Sequence, residues 1–120
     1  MNKYTDQSDF EINKKVASHY LPCDYNINEH TKTVELICYL GDTDEYNAYA
    51  TFAPCSNPAS AWDLILDAKL SIHPDFNNDC KSWVVRNVHI PMVNETNLAR
   101  AISIAYLLFK DVENETNNKR

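Results

Sequence analysis

Glycine is almost missing from this chain, with Gly41 the single one among 120 residues. Walker loops, dinucleotide GxGxxG turns and GxSxG nucleophile elbows each need several glycines, because a side chain there would block close approach or positive φ. None can be built around Gly41 alone, so the common nucleotide-binding and α/β-hydrolase classes are excluded. Long apolar runs are missing too. No segment approaches the roughly 18 residues a membrane helix needs, and the opening MNKYTDQSDF lacks the apolar stretch of a secretion signal. The expectation is a cytoplasmic protein that does not engage a membrane.

Metal-ligand spacing is also lacking. Cys23, Cys38, Cys55 and Cys80 are scattered with no CxxC, which in a reducing compartment predicts free, partly buried thiols. Structural zinc needs four convergent ligands, normally as two close pairs. His19 and Cys23 are separated by the helix-ending Pro22, while His73 and Cys80 only flank a polar loop. A zinc deaminase needs His-x-Glu and Pro-Cys-x-x-Cys; Pro22-Cys23 and Pro54-Cys55 both lack the second cysteine. No metal or cofactor is expected.

Positive charge is scarce in one place. The formal charge is −6, and six acids (Asp24, Glu29, Glu35, Asp42, Asp44, Glu45) share the stretch from Asp24 to Glu45 with one base, Lys32. Such a segment is repelled by phosphate backbones and attracted to basic protein surfaces. Its plainest reading is a solvated acidic hairpin.

What the chain does contain is one strongly apolar helix. From Asn97 to Val112, apolar residues at Leu98, Ala101, Ile102, Ala105, Leu108, Phe109 and Val112 follow the i, i+3, i+4, i+7 rhythm. Asn94 or Thr96 is placed to cap it, and a helix so apolar must be covered on most sides. Earlier, Ser8 to Glu11 reads as a capping box opening a helix that buries Phe10, Ile12, Val16, Ala17 and Tyr20, with Asn13, Lys14, Lys15 and Ser18 facing water, and ends at Pro22. Cys23 to Thr31 reads as a turn. Alternation over Lys32–Leu40 and Tyr46–Ala53, around the turn Gly41–Glu45, predicts an antiparallel hairpin. Asn57-Pro58 starts a helix to about Lys69 that buries Ala61, Ile65, Ala68 and either Trp62 or Leu66. Leu70–His73 is a short extended piece, Ser82–Ile90 is a third strand, and Glu113–Arg120 is a disordered polar tail after a loose lead-in at residues 1–7. The order α-β-β-α-β-α predicts a single α+β domain, residues 1–120, with a small, mostly antiparallel sheet packed against helices.

Two sets of side chains are candidates for function. Cys55 precedes a helix N-terminus, where the dipole lowers a thiol pKa, and would be the nucleophile of a small thiol hydrolase or transferase; the plainer reading is a small residue filling the tight turn between Pro54 and Asn57. Tyr39 and Tyr49 fall on the strand face opposite the expected core, beside Glu35, Asp42, Asp44 and Glu45. Aromatics ringed by charge suit a protein-binding patch, although a second core face under the first helix would use the same residues.

Three stretches carry a family likeness. Phe52-Ala53-Pro54-Cys55-Ser56-Asn57-Pro58-Ala59-Ser60-Ala61-Trp62-Asp63-Leu64-Ile65 resembles the central motif of the NinX-like family of phage and prophage proteins. Asn97-Leu98-Ala99-Arg100-Ala101-Ile102 with Tyr106-Leu107-Leu108-Phe109 is similar to its C-terminal helix, and Ser8 to Lys14 to its opening helix. Asp63 and Ala99 depart from its usual residues, and no Pro follows Asn97. The resemblance implies a small phage or prophage accessory protein and supplies no catalytic residues. Together with the acidic hairpin, it leads to the expectation of a non-catalytic protein, acting in the bacterial host cell without binding nucleic acid directly. Its partner would be a host or phage protein with a basic nucleic-acid-binding surface, such as a restriction or CRISPR component that it inhibits. A Cys55 enzyme is the alternative, and a third reading is a self-associating homodimer, pairing through the long helix or an open sheet edge.

Overall fold

The computed structural model describes residues 2–118. Three helices and two three-stranded sheets follow in the order α1 (Asp9–Tyr20), β1 (Tyr25–Asn28), β2 (Thr33–Tyr39), β3 (Tyr46–Thr51), α2 (Pro58–Ala68), β4 (Ser71–Pro74), a single 3₁₀ turn (Phe76–Asn78), β5 (Trp83–Arg86), β6 (Val93–Glu95) and α3 (Leu98–Asn118). The α+β class and the alternation of helices with groups of strands are as expected, but each group holds three strands where two and one were expected, and β1 falls in the stretch read as a turn. The expected single sheet is two: β1-β2-β3 and β4-β5-β6 form separate sheets, antiparallel throughout.

Local chemistry sets the helix starts. The Ser8 hydroxyl accepts from the Glu11 amide at 3.1 Å, while the Glu11 carboxylate turns to Lys14 at 3.0 Å instead of closing the capping box. Asn57 accepts from the Ala59 amide at 3.0 Å, with Pro58 in the first turn of α2. For α3 the cap is Asn97, which accepts from the Arg100 amide at 3.2 Å, rather than Asn94 or Thr96. Those two lie earlier because β6 occupies the chain through Glu95.

α3 is the centre of the fold. Residues Ala101 to Leu107 are all buried, Ser103 included, and the helix touches α1, α2, β5 and β6. Ser103 is tolerated because its hydroxyl donates to the Ala99 carbonyl at 2.9 Å. α1 contributes Ile12, Val16 and Ala17 as expected, and also Asn13, which was expected to face water. Its side-chain oxygen accepts from the Cys55 amide at 3.1 Å. In α2 the buried face is Ala61, Leu64 and Ala68, whereas Trp62 and Leu66 stand 59% and 60% exposed. Ala61 and Ala68 are buried as expected and Ile65 is partly buried against the core, but the fourth inward residue is Leu64 rather than Trp62 or Leu66. The third strand is also shorter than expected, since the chain turns at Asn87–Ile90 and leaves Val88 exposed before returning as β6.

Both ends of the chain are more ordered than their composition suggests. In the expected loose lead-in, Tyr4 is 4% exposed and donates to Asp111 at 2.6 Å. The expected tail is helical from Glu113 to Asn118, with Glu113 paired to Lys110 at 3.0 Å across one turn; Lys119 and Arg120 lie outside the described residues. Arg100 closes the opposite end of α3. Its guanidinium meets Asp9 at 2.6 Å and Glu95 at 3.0 Å, and donates to the carbonyls of Thr5 and Gln7.

Two predictions follow from these buried polar groups. Arg100, with its side chain 15% exposed, leaves two carboxylates and two carbonyls unpaired when truncated. Arg100→Ala should lower unfolding free energy by about 3 kcal/mol in urea titration, with Arg100→Lys recovering only part; a loss under about 0.5 kcal/mol would contradict the role assigned. Tyr106 is fully buried and donates to Asp67 at 2.8 Å. Burial, then the hydrogen bond and charge of Asp67, push its phenol well above the ordinary value near 10, and Tyr4 is raised by burial and Asp111 in the same way. Because the folded state holds these protons more tightly, the stability they contribute is complete below about pH 10 and declines above it. Melting temperature should therefore fall more steeply between about pH 10 and 11 in the wild type than in a Tyr4→Phe/Tyr106→Phe variant.

Candidate functional site

The β2–β3 hairpin is planted at its base and free at its end. Val34 and Phe52 are buried at the base, joined by the Phe52 amide donating to the Val34 carbonyl at 2.8 Å. The Phe52 ring stacks on Tyr20 at 6.1 Å, and Tyr20 meets Tyr106 edge-on, which ties the base to α1 and α3. Beyond it, every residue from Cys38 to Thr51 is exposed. β3 packs on β2 and on no other element to a comparable extent.

The tip is shaped by its own hydrogen bonds. The Leu40 amide donates to the Glu45 carbonyl at 2.9 Å, and the Leu40 carbonyl accepts from the Thr43 amide and hydroxyl at 3.3 and 2.6 Å. Gly41 supplies the positive φ of 61° that the turn requires. Asp42, Asp44 and Glu45 are left pointing to solvent. Just below them Tyr39 and Tyr46 face each other across the strands, edge to face at 6.0 Å.

One irregularity divides the hairpin. Leu36 pairs with Ala50 but Ile37 pairs with Ala48, so Tyr49 is an extra residue, a β-bulge. It stands 62% exposed, with Tyr39 at 47% and Tyr46 at 40%. The sequence left open whether Tyr39 and Tyr49 belonged to a patch or to a second core face; these exposures place them in solvent. Of the six residues expected to form the patch, Tyr39, Asp42, Asp44, Glu45 and Tyr49 belong to the free part of the hairpin. Glu35 is held apart, half-buried at the base, where its two oxygens accept from Asn26 at 3.0 Å and Asn28 at 3.4 Å. Leu40 and Tyr46 are patch members that sequence reading passed over. Their signal was proximity to the turn, where no further element remains to cover them.

Charge along this stretch of sequence is of one sign. Between Lys32 and Lys69 there is no lysine or arginine, while Glu35, Asp42, Asp44, Glu45, Asp63 and Asp67 all fall there. A second exposed apolar feature lies between α2 and α3, a groove of about 240 Å³ whose lining includes Trp62, Ile65, Ile72, Leu98 and Ile102. It holds no ionisable side chain among its lining residues.

The thiol alternative meets a geometric obstacle. Cys55 is 0% exposed, and burial pushes its pKa up to about 12, with the Ser103 hydrogen bond only partly opposing. A nucleophile needs a thiolate and an approach path, and Cys55 has neither at neutral pH. Among the described residues, no three His, Cys, Asp or Glu side chains converge to hold a metal ion, and no helix is long and apolar enough to cross a membrane. Comparison with protein-family models, with curated proteins and with solved structures finds no match to this chain.

Alkylation tests the burial directly. Native protein treated with iodoacetamide at mildly alkaline pH should be labelled at Cys23, Cys38 and Cys80, which are exposed, and not at Cys55. Mass spectrometry should find the fourth label only after unfolding in urea; prompt labelling of native Cys55 would restore the thiol-enzyme reading.

Proposed function

We propose that this protein is a non-catalytic accessory protein that binds another protein through the free end of its β2–β3 hairpin. The observation that carries the reading is the hairpin itself: a run exposed from Cys38 to Thr51, presenting Tyr39, Leu40, Tyr46 and Tyr49 beside Asp42, Asp44 and Glu45. Exposed aromatics are expensive in a segment that buries nothing, and they are the residue type that anchors protein interfaces. The surrounding acids select the partner's sign. A basic surface, such as the nucleic-acid channel of a nuclease, complements them, and occupation of that channel would exclude its nucleic acid.

The likeness to the NinX-like family supports a phage or prophage origin and hence action in a bacterial host cell. On that basis the partner is a host or phage protein, with a restriction or CRISPR component as the specific version, inhibited by competition for its basic surface. Direct nucleic-acid binding is disfavoured by the net charge of −6.

The test is capture from host lysate by the tagged protein at low and at high salt, repeated with Asp42→Lys/Asp44→Lys/Glu45→Lys. All three positions are exposed, so the variant should melt within a few degrees of the wild type. A stoichiometric partner should be retained at low salt, released at high salt, and lost from the variant. Equal capture by both proteins at both salt levels would remove the hairpin acids from the interaction.

A further inference from the structure

The outer edge of β3 pairs with no other strand among the described residues. The sheet order β1-β2-β3 puts it at an edge, and the hydrogen-bond alternation shows which groups are free. The Leu40–Glu45 and Val34–Phe52 bonds mark even-numbered residues of β2 as those bonded toward β3. Ile37 donates the other way, to the Asp24 carbonyl at 3.3 Å. Tyr46, Ala48 and Thr51, paired with the odd residues Tyr39, Ile37 and Glu35, therefore turn their N–H and C=O groups outward. Natural edge strands are usually blunted by charge, proline or a cover. β3 (YNAYAT) has neither charge nor proline, and among the described residues no element packs on it to the extent that β2 does; the bulge at Tyr49 is the protective device it carries.

We infer that the β3 edge accepts an added strand from the partner, an extended basic segment that pairs with the outward main chain of Tyr46 and Ala48. This rests on the protein-binding reading of the hairpin and adds how the partner is held and what its chemistry is. The run before the bulge is short, so main-chain bonds alone hold little. Arginines on the added strand complete the fit by stacking on the exposed rings of Tyr46 and Tyr49 and pairing with Asp42, Asp44 and Glu45. A second copy of this chain is the poorer occupant: it brings another charge of −6 and another base-free hairpin, so like charges meet across the seam.

The experiment titrates ¹⁵N-labelled full-length protein with three synthetic probes of about eight residues, a common strand length: alternating Arg-Val, the same peptide N-methylated at alternate residues, and alternating Ser-Val. The expected result is that Arg-Val shifts the amide resonances of Tyr46 and Ala48, with the other two probes weaker by on the order of tenfold. Ala48→Pro, which deletes one outward N–H and leaves the bonds to β2 intact, should weaken Arg-Val to a similar degree while keeping the spectrum folded. Equal binding of the N-methylated peptide, with no loss in Ala48→Pro, would overturn strand addition and leave the acidic-surface reading standing. Failure of all three probes would overturn both. Equal binding of Ser-Val would overturn the basic occupant, as would a dimer of the free protein with its Tyr46 and Ala48 amides protected from exchange.

Discussion

The guanidinium of Arg100 is the constraint on which the rest of this structure leans. It sits in the first turn of α3 and is largely buried, yet it gathers Asp9 from α1, Glu95 from the end of β6, and two carbonyls of the N-terminal segment. A buried cation is tolerable only when its donors are used, and the planar fork of arginine can serve several acceptors in different directions at once. Asp9 and Thr5 lie 91 and 95 residues from Arg100 in sequence, while Glu95 is five residues away. With that turn held, the apolar length of α3 is presented to α1, α2 and the second sheet in one register. Tyr4 and Asp111 repeat the device farther along α3, binding the same N-terminal segment.

The hairpin lives by the opposite rule. From Cys38 to Thr51 it buries no side chain, and its order derives from ladder bonds, the knot at Leu40–Glu45 and the facing pair Tyr39–Tyr46. Segments of this kind sit at the low-stability end of a fold, where binding elements are commonly found. The stack of Phe52 on Tyr20 anchors the base of the arm to α1. The bulge at Tyr49 limits how long a strand could pair along the outer edge of β3.

Several features were legible because they depend on residues close in sequence. Ser8 and Asn57 cap their helices through amides two or three positions on, and the Gly41 turn joins two alternating runs. Phase was less legible. The stripe of α2 contains Trp62, Leu64, Ile65 and Leu66, and periodicity alone admits more than one inner face; contact with α3 selected Leu64. Residue type assigns Asn13 to solvent, and position assigns Tyr4 to a loose lead-in. Each is buried because a distant group, the Cys55 amide or the Asp111 carboxylate, satisfies it.

The candidate site divides along the same line. Sequence by itself determined the acidity of the hairpin, its tyrosines, the lack of phosphate-binding and metal-binding patterns, and the α+β order, since these follow from composition and from chemistry within a few residues. Tertiary structure decided that Glu35 is tied down at the base, that Tyr49 is a bulge, that Cys55 is sealed under α3, and that the outer edge of β3 is open. Burial and edge exposure are properties of what packs against a segment, and no residue carries its neighbours' positions in its own identity.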